Sequence, residues 1–73
     1  MEFMIAVFKS RREAIAFGSN MQRRGARVSA INTPLRIASS CGLSIKFRRR
    51  DLHIAQRVLS ANDYFTFIGF FTL

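Results

Sequence analysis

The sequence predicts an α+β fold in which four antiparallel strands form one sheet and two helices pack on one face of it. The chain has 73 residues, 49% of them hydrophobic and eight of them Phe, which is enough apolar material for one core. We therefore expect a single domain over residues 1–73. Strand-length apolar segments occur at 3–8, 27–31, 43–47 and 64–73. Stretches with helical spacing follow the first and the third of these segments.

The first segment and the helix after it carry clear local signals. Residues 3–8 are continuously apolar, which is typical of a central strand. Ser10 and Glu13 match a capping box, in which the Ser10 hydroxyl accepts from the Glu13 amide and the Glu13 carboxylate accepts from the Ser10 amide. The helix should run to about Arg24, and Gly25 should end it in the left-handed conformation. Its apolar face would carry Ala14, Phe17, Gly18 and Met21.

The second strand, residues 27–31, leads into an eleven-residue connection from Asn32 to Gly42. Thr33 and Pro34 resemble an N-cap followed by proline at the first helical position. They predict a short helix over residues 34–40, which Gly42 would close. Loops this long in compact domains are often functional.

The third strand and the second helix show the two standard periodicities. Ser44 and Lys46 alternate with apolar residues, so we expect one buried strand face. That face would carry Leu43, Ile45 and Phe47. Asp51 is the predicted N-cap of the second helix, which residues 61–63 end. The helix would turn inward Leu52, Ala55, Val58 and Leu59.

The closing strand, residues 64–73, is rich in aromatic residues. Strict alternation places Phe65, Phe67, Phe71 and Leu73 on one face, and Ile68 and Phe70 on the other. The complete order is β-α-β-β-α-β. Two right-handed βαβ crossovers in one sheet give the ferredoxin-like arrangement, with both helices on one face.

This arrangement has a consequence for association. Since helices cover only one face of the sheet, apolar side chains of the first and last strands would be exposed on the other. A patch of that size predicts a homodimer through the open sheet face or a sheet edge. The alternative is that long Arg and Lys side chains cover the patch.

Composition limits the chemistry that the chain can perform. One cysteine excludes an internal disulfide and a cysteine-rich metal site, and it fits the reducing cytoplasm. The apolar C-terminal stretch is half the length of a membrane span, so we expect no membrane association. His53 is the only histidine, and the four carboxylates are scattered along the chain. The sequence therefore predicts no metal, no cofactor and no independent enzyme activity.

The formal charge of +8 comes from twelve Lys and Arg against four acids, and it would attract nucleic acid or acidic proteins. Basic residues cluster at 23–27 and at Lys46, Arg48, Arg49 and Arg50. A basic cluster on a ferredoxin-like sheet is also found in RNA-recognition domains. The glycine and aromatic spacing of their RNA-binding motif is absent around residues 45–50. Nucleic acid is thus an alternative partner for Arg48–Arg50, while a solvated basic rim is favoured.

Cys41 lies in Ser39-Ser40-Cys41-Gly42, among small polar residues rather than in an apolar run. Such a loop gives a thiol access to solvent, and access is one requirement for thiol reactivity. At the C-terminal end of a short helix the dipole would disfavour the thiolate. From the residues alone, a structural cysteine and a reactive one are equally open.

Thr33-Pro34, Arg36 and Ser39-Ser40-Cys41-Gly42 form the pattern TP-x-R-x-x-SSCG, which runs into an apolar strand. With the element order, this pattern resembles the selenium/sulfur (Se/S) carrier protein-like family. The resemblance implies that Cys41 carries sulfur or selenium between donor and acceptor proteins, as a persulfide or selenyl sulfide. It also implies that Gly42 allows close backbone approach and that Ser39 and Ser40 line the loop. Arg36, five residues before Cys41, is the cationic residue of the pattern. Leu35 and the run Arg48–Arg50 depart from what is usual in the family.

Overall fold

A computed structural model describes residues 2–37 and 42–73 of the chain. The elements are β1 (Phe3–Phe8), α1 (Arg11–Arg23), β2 (Val28–Asn32), β3 (Leu43–Arg48), a 3-10 turn (Arg49–Asp51), α2 (Leu52–Ala61) and β4 (Phe67–Thr72). All strand pairs are antiparallel, in the order β2-β3-β1-β4. The predicted ferredoxin-like α+β fold is confirmed. Within the described residues, every helix is too short or too polar to cross a membrane.

The core lies between the sheet and the two helices and is centred on Phe8. The Phe8 ring centroid lies 5.1 Å from that of Phe17, 5.6 Å from Tyr64 and 5.3 Å from Phe67. These are tilted or edge-on contacts, the arrangements that aromatic quadrupoles favour. The predicted buried face of α1 is confirmed. In α2, Ala55 and Val58 are fully buried and the predicted leucines pack against the same core.

The start of α1 confirms half of the predicted capping box. Ser10 Oγ accepts from the Glu13 amide at 3.3 Å. The other half is wrong, because the Ser10 amide donates to Thr66 Oγ1 at 3.2 Å and the Glu13 carboxylate bonds elsewhere. At the other end of the helix, Gly25 adopts φ 93°, the left-handed conformation that was predicted.

A bulge in β4 changes which aromatic side chains share a face. Phe71 lies opposite Ile5 and Gly69 opposite Val7, but Phe67 lies opposite Phe8, so Ile68 is the extra residue. Strict alternation was therefore the wrong prediction for β4. Phe67 and Phe70 both pack against the helix-side core, with ring centroids 5.1 Å apart. Phe65 precedes the strand, in a turn.

The open face of the sheet is less exposed than predicted. Ile5 and Val7 point away from the helix-side core, yet both are fully buried. The Phe3 ring is covered by Lys46, whose Nζ lies 4.4 Å from the ring centroid, and Arg48 Cζ lies at 5.8 Å. Cationic side chains thus lie over this part of the face, as the alternative interpretation has it. The homodimer stays a prediction, for which the two edge strands offer unpaired backbone groups.

Two further local predictions need correction. Asp51 makes no side-chain cap bond to α2, because a 3-10 turn leads directly into the helix and holds Asp51 at φ −97°, ψ 12°, outside the extended conformation of a side-chain cap. Ser44 is fully buried rather than on a solvated strand face. Ser44 can be buried because its hydroxyl pairs with that of Thr33, in the loop before β3.

Candidate functional site

The connection between β2 and β3 leaves the sheet at the end where β1 finishes and β4 begins. Phe8 pairs with Leu43 and Phe67, and Leu43 pairs with Asn32. We call this the loop end of the sheet, defined by Phe8, Asn32, Leu43 and Phe67. Strand pairing therefore holds the segments that adjoin these four residues close to one another.

The base of the loop is closed by hydrogen bonds. The Thr33 amide donates to the Gly42 carbonyl at 3.1 Å. Thr33 Oγ1 and Ser44 Oγ lie 2.6 Å apart, and both residues are buried. A buried hydroxyl pair of this kind holds its partners firmly, because each hydroxyl would otherwise lack a partner. Thr33 and Gly42 therefore form a loop base of defined geometry.

Gly42 is packed too closely for a side chain. A Cβ placed on Gly42 would lie 3.0 Å from the Phe8 carbonyl oxygen and 3.2 Å from Thr33 Oγ1. The first of these atoms belongs to the backbone of a central strand and cannot move easily. The Gly42 backbone therefore lies in close contact with β1 and with the Thr33 side chain.

The described part of the loop forms one turn. The Ile37 amide donates to the Pro34 carbonyl at 3.0 Å, and Leu35 and Arg36 are exposed. Thr33 Oγ1 pairs with Ser44 Oγ, and none of the amides of the described turn donates to it, so its predicted role as an N-cap is wrong. The remainder of the predicted helix, with Ser39, Ser40 and Cys41, lies outside the described residues.

The second predicted set, Arg48 to Arg50, lies at the opposite end of the sheet. Arg48 pairs with Phe3, and the Arg49 amide donates to the Glu2 carbonyl at 2.9 Å. Phe3 and Phe8 are five residues apart on β1, so the two ends are separated by about 17 Å. Gly42 and the turn that carries Arg36 lie at the loop end of the sheet, whereas the Arg48–Arg50 run lies at the opposite end.

One part of the loop end was missed by sequence reasoning. The Glu13 carboxylate accepts from the Phe65 amide at 2.9 Å, the Thr66 amide at 2.8 Å and Thr66 Oγ1 at 2.7 Å. The Lys9 amide donates to the Thr66 carbonyl at 3.0 Å. The capping-box glutamate was a local signal, but no local pattern indicates a partner more than 50 residues away.

These bonds control the ionisation of Glu13. The Thr66 hydroxyl, and then the Thr66 amide, hold the pKa of Glu13 below its ordinary value of 4.5; desolvation opposes them, and the Phe65 amide makes the smallest contribution to the lowering. Since the folded-state pKa is lowered, the stabilisation is present above about pH 4.5 and is lost as pH falls through the folded-state value.

We therefore expect Glu13→Gln to flatten the acid side of the stability profile. Urea unfolding of both proteins between pH 7 and pH 3 should show the wild type losing stability more steeply below pH 4.5. Arg12→Gln, on the neighbouring exposed position, is the matched control and should keep the wild-type slope. Parallel curves for wild type and Glu13→Gln would contradict the assignment.

Within the described residues, no group of three His, Cys, Asp or Glu side chains is placed to hold a metal ion. His53 is exposed near the start of α2, and its Nδ1 lies 3.1 Å from the Arg50 carbonyl oxygen. His53 is therefore a surface residue of α2.

Comparison with known proteins decides the family. A family model described as "Putative Se/S carrier protein-like" matches residues 3–66. The chain belongs to this family. The matched range runs from β1 to the Phe65-Thr66 turn and includes the whole loop from Thr33 to Gly42. No curated protein and no solved structure matches the chain.

Proposed function

We propose that this member of the Se/S carrier protein-like family carries sulfur or selenium on Cys41, as a persulfide or selenyl sulfide. The observation that carries the proposal is the family match, which spans the TP-x-R-x-x-SSCG loop. The closed loop base supports it, because it holds Gly42, the residue next to Cys41 in sequence, against β1. A reducing cytoplasm would keep the unloaded thiol available.

The proposed transfer is a thiol exchange without net oxidation. The Cys41 thiolate attacks the terminal sulfur of a donor protein's persulfide, the donor S–S bond breaks, and the donor leaves as a thiolate. Cys41 then holds an S–SH group. An acceptor thiolate repeats the step on that terminal sulfur and releases the Cys41 thiolate. A chain with one cysteine suits this role, since no second thiol of its own can trap the persulfide as a disulfide.

The other loop residues take supporting roles in this proposal. Arg36 is exposed on the loop and provides a cation for the anionic persulfide or for a partner carboxylate. Ser39 and Ser40 provide hydroxyl donors beside the thiol. The chain acts as a carrier between a donor and an acceptor protein rather than as an independent enzyme, and it needs no cofactor.

A second candidate is a basic binding module for nucleic acid or an acidic partner. A cleft of ≈ 510 Å³ is lined by Arg24, His53, Gln56, Arg57, Ser60 and Ala61. An adjoining cavity is lined in part by Arg23 and Arg24. This cleft and the run Arg48–Arg50 would attract phosphate groups, and such binding would fall steeply with added salt.

The test of the carrier function is the intact mass of the reduced protein after incubation with a cysteine desulfurase and cysteine. We expect a product one sulfur atom heavier, reversed by dithiothreitol and absent from Cys41→Ser. A variant with Arg48, Arg49 and Arg50 changed to Gln should load like the wild type, because these residues lie at the other end of the sheet. No adduct, with slow alkylation of Cys41, would identify a structural cysteine and favour the basic binding module.

A further inference from the structure

Phe65 is the most exposed of the large apolar side chains in the described residues, at 87%. Its backbone is nevertheless held in place by hydrogen bonds to the Glu13 carboxylate. The Phe65 amide donates to Glu13 Oε2, and Thr66 bonds through its amide and hydroxyl to Glu13 Oε1. An exposed aromatic ring on a rigid backbone is suited to protein binding, because little conformational entropy is lost when the ring enters a pocket.

The Phe65 turn lies beside the base of the Cys41 loop. Gly42 packs against the carbonyl oxygen of Phe8, and the next residue, Lys9, donates its amide to Thr66. Gly42 and Thr66, the neighbour of Phe65, thus contact the consecutive residues Phe8 and Lys9. They precede β3 and β4, the two strands that border β1, so they are separated by about two strand spacings, or roughly 10 Å.

Exposed basic residues adjoin both features along the chain. Lys9, Arg11 and Arg12 are exposed, and they are neighbours in sequence of Ser10 and Glu13, which bond to the Phe65 turn; Arg36 is exposed on the loop. Leu35, 81% exposed, adds a second apolar side chain. The carboxylate of Glu13, which lies among them, is engaged in the three hydrogen bonds to Phe65 and Thr66. Apolar anchors with a charged rim are the usual composition of a protein interface.

The geometry points to a docking surface for an acidic persulfide-donor protein at the loop end of the sheet. Its anchors are Phe65 and Leu35, and its rim is Lys9, Arg11, Arg12 and Arg36. The inference rests on the proposed carrier function. Transfer between two protein thiols requires the donor to sit on the surface around Cys41, which favours a protein over a nucleic acid as the occupant. The positive rim selects a donor whose own rim is acidic.

The test compares two sulfur donors. Wild type, Phe65→Ala and the double variant Arg11→Gln/Arg12→Gln are loaded with a cysteine desulfurase persulfide and, separately, with glutathione persulfide. We expect Phe65→Ala to lower the second-order loading rate from the desulfurase about tenfold. The double variant should lower it about threefold to tenfold at low salt, and less as salt is added. Loading from glutathione persulfide should not change in either variant.

Control variants lie at the opposite end of the sheet. Leu73→Ala removes a partly exposed apolar side chain, and changing Arg48, Arg49 and Arg50 to Gln removes three charges; both should load from the desulfurase at the wild-type rate. Equal desulfurase rates for wild type and Phe65→Ala would overturn the docking surface and leave the carrier function intact. The docking surface would also be overturned if the wild-type protein loaded from glutathione persulfide but not from the desulfurase. Failure of both donors would remove the carrier function itself. Binding of a labelled single-stranded RNA that Phe65→Ala abolishes would assign the surface to nucleic acid instead.

Discussion

Gly42→Ala is expected to lower the rate of persulfide transfer to Cys41 from a donor protein by about tenfold to 100-fold, because it displaces the residue next to the thiol. The new methyl group would lie 3.0 Å from the Phe8 carbonyl oxygen and 3.2 Å from Thr33 Oγ1. Relief requires the loop base to move away from β1. We also expect a stability loss of about 1–3 kcal/mol, the usual cost of overpacking.

The matched control for this variant is Gly69→Ala. A Cβ at Gly69 would meet only the Phe71 ring, at 3.5 Å, which is ordinary van der Waals contact. Stopped reactions analysed by intact mass give the transfer rate, and urea unfolding gives the stability. The final amount of sulfur bound should be the same in all three proteins, since Cys41 is retained. Wild-type rates and stability in Gly42→Ala would show that the close approach has no effect on the thiol.

Ser44→Ala is expected to cost about 1–3 kcal/mol of unfolding free energy, because it leaves the buried Thr33 hydroxyl without its partner. The two hydroxyl oxygens are 2.6 Å apart, and Ser44 is fully buried. Adding Thr33→Val to Ser44→Ala removes the unpaired hydroxyl while keeping its shape. The double variant should therefore be no less stable than Ser44→Ala, so that the two substitutions are strongly non-additive.

A double-mutant cycle followed by urea unfolding measures this coupling. Ser29→Ala, an exposed position on β2, is the control and should change stability by less than about 0.5 kcal/mol. If the losses from Ser44→Ala and Thr33→Val simply add, the hydroxyl pair does not hold the loop base. In that case the Thr33–Gly42 backbone bond and the packing of Gly42 against β1 would hold the loop base.

The position of the arginine residues separates the two candidate functions in space. Arg48 to Arg50 adjoin the Phe3 end of β1, whereas Gly42, Arg36 and the Phe65 turn adjoin its Phe8 end. Substitutions at one end therefore need not disturb the other. This is why the charge variants at Arg48–Arg50 serve as controls for the carrier function and as tests of the basic binding module.

Much of the architecture was predictable because it depends on neighbours along the chain. Apolar runs identified β1 and β3, helical spacing identified the buried face of α1, and Ser10 and Gly25 marked its two ends. The loop motif around Cys41 also identified the family, which the match over residues 3–66 confirms. The role of Cys41 stays a proposal that the loading experiment tests.

Where prediction failed, the deciding partner was distant in sequence. The capping-box assignment for Glu13 missed Thr66, which competes for the same carboxylate from 53 residues away. The predicted faces of β4 failed because one bulged residue, Ile68, inverts the alternation after it. Ser44 appeared to be a solvated strand residue because its partner, Thr33, reaches it only when the loop closes.

The order of helices and strands, the ends of α1 and the family follow from local signals, since periodicity, capping and motif spacing act between residues a few positions apart. Long-range strand pairing places the Phe65 turn at the same end of the sheet as Gly42, and Arg48–Arg50 at the other end. Strand order and register set these positions, because pairing in the sheet joins residues from opposite ends of the chain. Such pairing depends on the packing of the whole core, and no local segment encodes it.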